Sequence, residues 1–473
     1  MDADRQVCAK NALTMYEQLD TLGFVINKQK SVLVPTQRIT YFGYILDSVL
    51  FMVFLPEDKI LKILKTADYL LSKTKIKIRD LSAFIGLLIN AFHAVLEAPL
   101  HYRTLERFKV RALKISPDFD SLVELGKNEK QEILWWKQNI HAKNGKKIRQ
   151  KPVSLWILSD ASNIGFGSSC LQKEGKTGGR WTTYEAQNHI NYLELLAIFF
   201  ALKSWAVDQN HVHIGVQSDS TTAIAYINNL GGMQNKAMDM LAKEIWQWCI
   251  SRNLFVTAYH LPGCENVEAD YMSRNFSDTT EWMLKRQIYS RLTSQLFMPN
   301  IDLFASRLNA QIEKYVSWTP DPNALCSNAF SLDWSVFKPY VFPPFRLLGK
   351  VLNKIREDHV DKVLIIGPYW TNQTWFPLLL HCLISVPIRL PRHRDIVTLP
   401  HNGAHHPMGK NLQLFGAIVS GNPLRIEESQ QMLQKQSLTV GVSVPENSIQ
   451  GLGRNGHFGV VFGTVIPFNH LKK

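Results

Sequence analysis

Cysteine is scarce in this sequence, with six among 473 residues. None stands in C-x-x-C spacing, which argues against a thiolate zinc site and a disulfide framework. No apolar run approaches the roughly 20 residues that span a bilayer. FPLLLHCLISVPI comes nearest, but it is short and interrupted by His381 and Pro387. The opening residues, MDADRQVCAKNALTMYEQLD, are polar and begin acidic, unlike a secretory signal. These absences point to an intracellular, reducing setting, with nucleus and cytoplasm undivided and no membrane partner.

Hydrophobic residues make up 45% of the chain and aromatics 11%, enough to build sizeable cores. The length suggests about three domains. A formal charge of +13 favours a polyanionic partner such as nucleic acid. The run HAKNGKKIRQK, at 141–151, is the most basic stretch and reads as a solvated linker or a contact to a phosphate backbone.

Along the chain, ALTMYEQLDTLGF reads as an amphipathic helix, VINKQKSVLV as a strand, and ITYFGYIL as part of a hairpin near the turn signal Pro35-Thr36. From Pro56 the pattern turns helical. EDKILKILKTADYLLSK places Ile60, Leu64, Ala67 and Leu71 on one face, and IRDLSAFIGLLINAFHAV starts at the signal Asp80. From Val153, three strands joined by tight turns are followed by a long helix, NHINYLELLAIFFALKSWA, and then by strands alternating with helices. That order implies a mixed sheet covered by helices.

Four acids in this segment share a placement. Asp160 closes the first strand, Glu194 lies in the first turns of the long helix, Asp219 closes the fourth strand, and Asp270 sits in the last helix. Clustered carboxylates raise one another's pKa unless a cation compensates them. Mg²⁺, a hard cation preferring oxygen ligands, provides that compensation. Two such ions supply the chemistry of phosphodiester hydrolysis.

DASNIGFG, NYLELLAIFFAL, QSDSTTAIAYI and HLPGCENVEADYMSR, in that order, resemble the four acidic motifs of type 1 ribonuclease H as found in gypsy-like and DIRS-like retroelements. The resemblance covers residues 151–276. It implies a ribonuclease H-like mixed five-stranded sheet with flanking helices, and Asp160, Glu194, Asp219 and Asp270 as catalytic metal ligands for two Mg²⁺ ions, with Mn²⁺ as a substitute. The implied reaction is cleavage of the RNA strand of an RNA–DNA hybrid. Some relatives carry a catalytic histidine in a loop before the last Asp; here His260 falls at the end of the fifth strand, before a short loop. Asn191 resembles a hybrid-contacting residue and reads equally well as a helix cap.

The flanks carry weaker likenesses. Residues 1–50 resemble a partial reverse transcriptase palm ending in its primer-grip hairpin, and 51–150 resemble the thumb and connection helices with a basic linker. No two aspartates are adjacent anywhere, so the polymerase Asp pair is absent and the chain reads as a retroelement fragment lacking polymerase chemistry. IDLFASRLNAQIEKYVSW and VFPPFRLLGKVLNKI place an α/β extension at 277–420, similar to phage-type adenine methyltransferases. Their catalytic motif begins with a polar residue, whereas Phe342 stands first in Phe342-Pro343-Pro344-Phe345. The tail, 421–473, reads as irregular; its GLGRNG lacks the βαβ context of a dinucleotide site. His393, His401, His405 and His406 read as a surface loop. The expectation is therefore a multidomain α/β protein built around a ribonuclease H. The alternatives are a non-catalytic nucleic-acid-binding relic and, third, a DNA N6-adenine methyltransferase; oligomeric state is undetermined.

Overall fold

The computed structural model describes residues 4–276, 281–436, 458–461 and 464–471. GLGRNG lies outside them. The chain divides into two compact units, Met1–Val153 with Ala225–Phe255, and Ser154–Ile224 with Val256–Lys473.

In the first unit the helix Arg5–Thr21 buries no residue and is capped by the Asp4 carboxylate, which accepts from the Gln6 and Val7 amides. The segment expected as a strand, VINKQKSVLV, is not one. Asn27 closes a turn there by accepting from the Lys30 amide, so side-chain turn chemistry overrides the β-branched composition. The hairpin pairs Arg38–Tyr41 with Tyr44–Asp47 and turns at Phe42 and Gly43, both with positive φ, instead of at Pro35-Thr36. Met52–Phe54 and Lys146–Lys147 complete this four-stranded sheet. Part of the basic run is thereby folded in place, and Lys143 pairs with Glu97 at 2.6 Å.

The helices Glu57–Ser72, Ile78–Asn90, Arg103–Ile115 and Lys127–Lys143 enclose a core that includes Ile63, Leu70, Phe84, Leu88 and Trp136. The first buries Ile60, Ile63, Ala67 and Leu70, a face rotated from the expected one, because Leu64 and Leu71 fall at its margin. Asp80 lies in the first turn of the second helix, whose cap is Lys77. In the same unit, Arg103 and Arg107 converge on Asp239 at 3.4 and 2.7 Å.

The second unit contains two larger sheets. The first comprises β1 (Leu155–Ala161), β2 (Gly165–Cys170), β3 (Gly175–Arg180), β4 (His213–Ser218) and β5 (Phe255–His260), in the order β5-β4-β1-β2-β3. The two hairpin contacts, β1 with β2 and β2 with β3, are antiparallel, whereas β4 runs parallel to β1. The helix α1 (Ile190–Ala206) is apolar on nearly every side and buried along most of its length. A shorter helix, α2 (Val267–Arg274), follows β5.

The second sheet has six strands: β6 (Ile301–Asp302), β7 (Pro339–Val341), β8 (Val363–Pro368), β9 (Ile388–Arg389), β10 (Leu414–Val419) and β11 (Asn469–His470), ordered β6-β7-β8-β10-β9-β11. Val363 and Ile365 of β8 enter one buried apolar cluster while Leu364 and Ile366 enter another, so both faces of this sheet are covered. Arg307 joins the regions around the two sheets. Its guanidinium donates to both carboxylate oxygens of Glu185 at 2.8 Å and to the Arg180 carbonyl, and it lies over the Phe200 ring.

Candidate metal centre

Asp160 is the next-to-last residue of β1, where the strand register pairs it with Gly167. Gln217 of β4 pairs with Leu158 in the parallel register. Continuing that register by two residues sets Asp219 beside Asp160 at the carboxyl ends of adjacent strands. Parallel strands thus solve a problem the sequence leaves open: two acids far apart along the chain arrive at one sheet edge. Glu194 reaches the same point from the second turn of α1.

The three carboxylates each place an oxygen within 4.8 Å of the others. Asp160 and Glu194 are only 5% and 7% exposed, while Asp219 faces solvent. Burial holds Glu194 up to about 9, and the neighbouring charges of Asp160 and Asp219 add to the effect; an Ala161 amide hydrogen bond and the Arg274 charge oppose it. Asp160 is held up to about 6, first by burial and then by Asp219 and Asp270, against a Ser273 hydrogen bond and Arg274. One oxygen of each, Asp160 Oδ2 and Glu194 Oε2, is buried without a hydrogen-bond partner. Unpaired acceptors of this kind are costly in a protein interior. The donor set consists of hard carboxylate oxygens, two of them unsatisfied, and so fits Mg²⁺ or Mn²⁺. Among the described residues, no other group of His, Cys, Asp and Glu side chains converges in this way.

Asp270 lies outside the three-carboxylate group. It stands in the first turn of α2, and its Oδ1 accepts from Arg274 Nε at 2.8 Å and Nη2 at 2.7 Å. Its charge still acts on Asp160.

The seat of α2 was hidden in the sequence. A Cβ on Gly167 would collide with the Ala269 carbonyl and the Ser273 amide, and one on Gly178 with the Met272 carbonyl. Only glycine at these positions lets the helix backbone lie this close to the sheet. Asn266, fully buried, donates to the Ser159 carbonyl at 3.1 Å, and Ser162 Oγ donates to the Ser273 carbonyl at 2.6 Å. These contacts position Asp270. The signal for them was GFGSSC, a strand of small residues that is buried at every position.

Other expected features fall elsewhere. His260 ends β5 and is exposed. Asn191 is not the helix cap; His189 takes that role, its Nδ1 accepting from the Asn191 amide. Phe342–Phe345 follow β7 and line a cavity of about 620 Å³ together with Phe304, Trp318 and Trp282. His393 and His405 both face Asp395, and His406 packs on Trp282.

No family model and no curated protein matches the chain. Among solved structures, a foamy viral protease-reverse transcriptase in complex with double-stranded DNA is 13% identical with a TM-score of 0.29, over 55% of this chain and 44% of that one. Ribonuclease H1 from the halophilic archaeon Halobacterium salinarum NRC-1 is 16% identical with a TM-score of 0.22, over 25% of this chain and 92% of its own. LC11-RNase H1, solved with an RNA/DNA hybrid, is 15% identical with a TM-score of 0.22, over 25% of this chain and 93% of its own. The chain spans less than half the length of the viral protein to which it is similar.

Proposed function

We propose that residues 151–276 form a type 1 ribonuclease H that hydrolyses the RNA strand of an RNA–DNA hybrid, within a retroelement reverse transcriptase. The observation that carries the reading is the meeting of Asp160, Glu194 and Asp219, from two parallel strands and a buried helix, with two oxygens left unsatisfied. A turn-forming Asp or a surface acid has no reason to sit beside two buried carboxylates.

In this reading Asp160, Glu194, Asp219 and Asp270 hold two Mg²⁺ ions. When bound, such ions activate the attacking water and stabilise the leaving oxygen of the phosphodiester. The chain's own residues fix the geometry around that chemistry. The parallel register of β1 and β4 sets Asp160 beside Asp219. The apolar body of α1 locks Glu194 in place and keeps water from its inner oxygen. Contacts to phosphates and to 2′-hydroxyls across the minor groove would select RNA by shape and not by sequence.

The test is incubation of the purified chain with a labelled RNA–DNA hybrid and Mg²⁺, beside an Asp219→Asn variant. Cleavage of the RNA strand by the parent and a loss of 100-fold or more in the variant, the scale on which metal-centred catalysis depends on its ligands, is the expected result. Absence of cleavage, or cleavage that the substitution leaves unchanged, would sink the reading. Binding without cleavage would favour the non-catalytic relic.

A further inference from the structure

Asp270 is the one acid of the four that stands apart, and it is paired with its neighbour four residues on. Arg274 sends both Nε and Nη2 to the same Asp270 oxygen, at 2.8 and 2.7 Å, along the exposed side of α2. The two side chains are 44% and 58% exposed. An ion pair this open to water is weak, worth little enough for a competing cation to break. Arg274 therefore occupies Asp270 without sealing it.

We infer that Arg274 is a resident counter-ion that parks Asp270 away from the three-carboxylate group, so that a divalent cation must displace its guanidinium before the fourth acid can join the site. The inference rests on the proposed metal centre and adds a positioning residue to it. Two features of α2 support it. The α2 backbone is held by its close approach to Gly167 and Gly178 and by the hydrogen bonds of Asn266 and Ser162, so a move of Asp270 toward the cluster would fall to its side chain. Arg274 lies in the last turn of α2, where a cation is favoured by the helix dipole, and so it keeps a place to rest once displaced. The consequence is a site whose Mg²⁺ affinity is set partly by a residue that contacts no metal.

Calorimetric titration of the whole chain with MgCl₂ tests this without using activity. Arg274→Gln should tighten Mg²⁺ binding by about threefold or more, since it removes both the competitor for Asp270 and a nearby positive charge. Arg274→Lys, which keeps the charge but loses the planar fork, should change binding less than Arg274→Gln. Combining Arg274→Gln with Asp270→Asn should remove most of the gain. Unchanged or weaker Mg²⁺ binding in Arg274→Gln, with Asp219→Asn still abolishing it, would overturn the inference while leaving the metal centre intact. Equal Mg²⁺ binding by the parent and Asp219→Asn would overturn the metal centre itself and the inference with it.

Discussion

Burying Glu194 against two other carboxylates ties the stability of the metal-free chain to pH. Its folded-state pKa is raised to about 9 from an ordinary 4.5, so the unfolded chain releases this proton first as pH rises. Stability is then full below about 4.5 and is lost progressively up to about 9. Asp160, raised to about 6, adds a smaller loss at lower pH. Without metal, Tm should fall between pH 5 and 9, and Glu194→Gln should remove most of that fall. Saturating Mg²⁺ should flatten the profile of the parent but not of Glu194→Gln, as differential scanning calorimetry would register. Asp302, in β6, is raised to about 7 by burial and leaves a residual slope that Mg²⁺ does not touch. The convergence of Asp160, Glu194 and Asp219 was legible in the sequence because each closes a strand or opens a helix within a recognisable motif, whereas the place of Asp270 outside their group was not. Arg274 was not, since an Arg four residues after an Asp on a helix reads as an ordinary surface pair.

On the scale of elements, the contact of α2 with β2 and β3 decides where Asp270 stands. Gly167→Ala has no space for its methyl group, because the opposing atoms are backbone and not a yielding side chain. Overpacking here should cost about 1–3 kcal/mol or more, measurable by urea denaturation. It should also weaken Mg²⁺ binding, whereas Gly86→Ala, where a Cβ meets nothing within 4 Å, should leave Mg²⁺ binding unchanged. Periodicity placed the long helix and β1 well, because both are strongly apolar, whereas β2 and β3, GFGSSC and GKTGGR, offer it few apolar residues. It failed at residues 25–34, where the Asn27 turn wins over β propensity, and on the helix Glu57–Ser72, where the buried face is set by packing partners that a helical wheel does not contain. Glycine in a strand signalled a turn from sequence alone. Its role as a seat for a helix depends on a segment about a hundred residues later, which no local pattern reveals.

For the molecule as a whole, Arg307 is a buried contact between the β3 side of the first sheet and the loop after β6, beside the hydrogen bond from Thr177 to the Pro320 carbonyl. Its side chain and that of Glu185 are 9% and 18% exposed, and its Nη1 donates to both Glu185 oxygens. Removing one partner leaves a largely buried charge, so Arg307→Met should cost on the order of 3 kcal/mol. The double variant Arg307→Met/Glu185→Gln should recover part of that loss in chemical denaturation, because it leaves no orphaned ion. Arg307 stands in IDLFASRLNAQ, where no local pattern reveals a contact with a segment more than a hundred residues earlier. The formal charge of +13 carries a further consequence. Affinity for an RNA–DNA hybrid should drop about tenfold or more between 50 and 200 mM salt, because releasing condensed counterions into a saltier solution gains less entropy.

The metal centre itself is tested most directly by anomalous diffraction from crystals of the whole chain soaked in Mn²⁺. Strong peaks bounded by Asp160, Glu194 and Asp219 are expected, with a second peak roughly 3.5–4 Å from the first when both ions are bound, and with Asp270 turned away from Arg274. Ordered carboxylates with no anomalous density between them at saturating Mn²⁺ would contradict it.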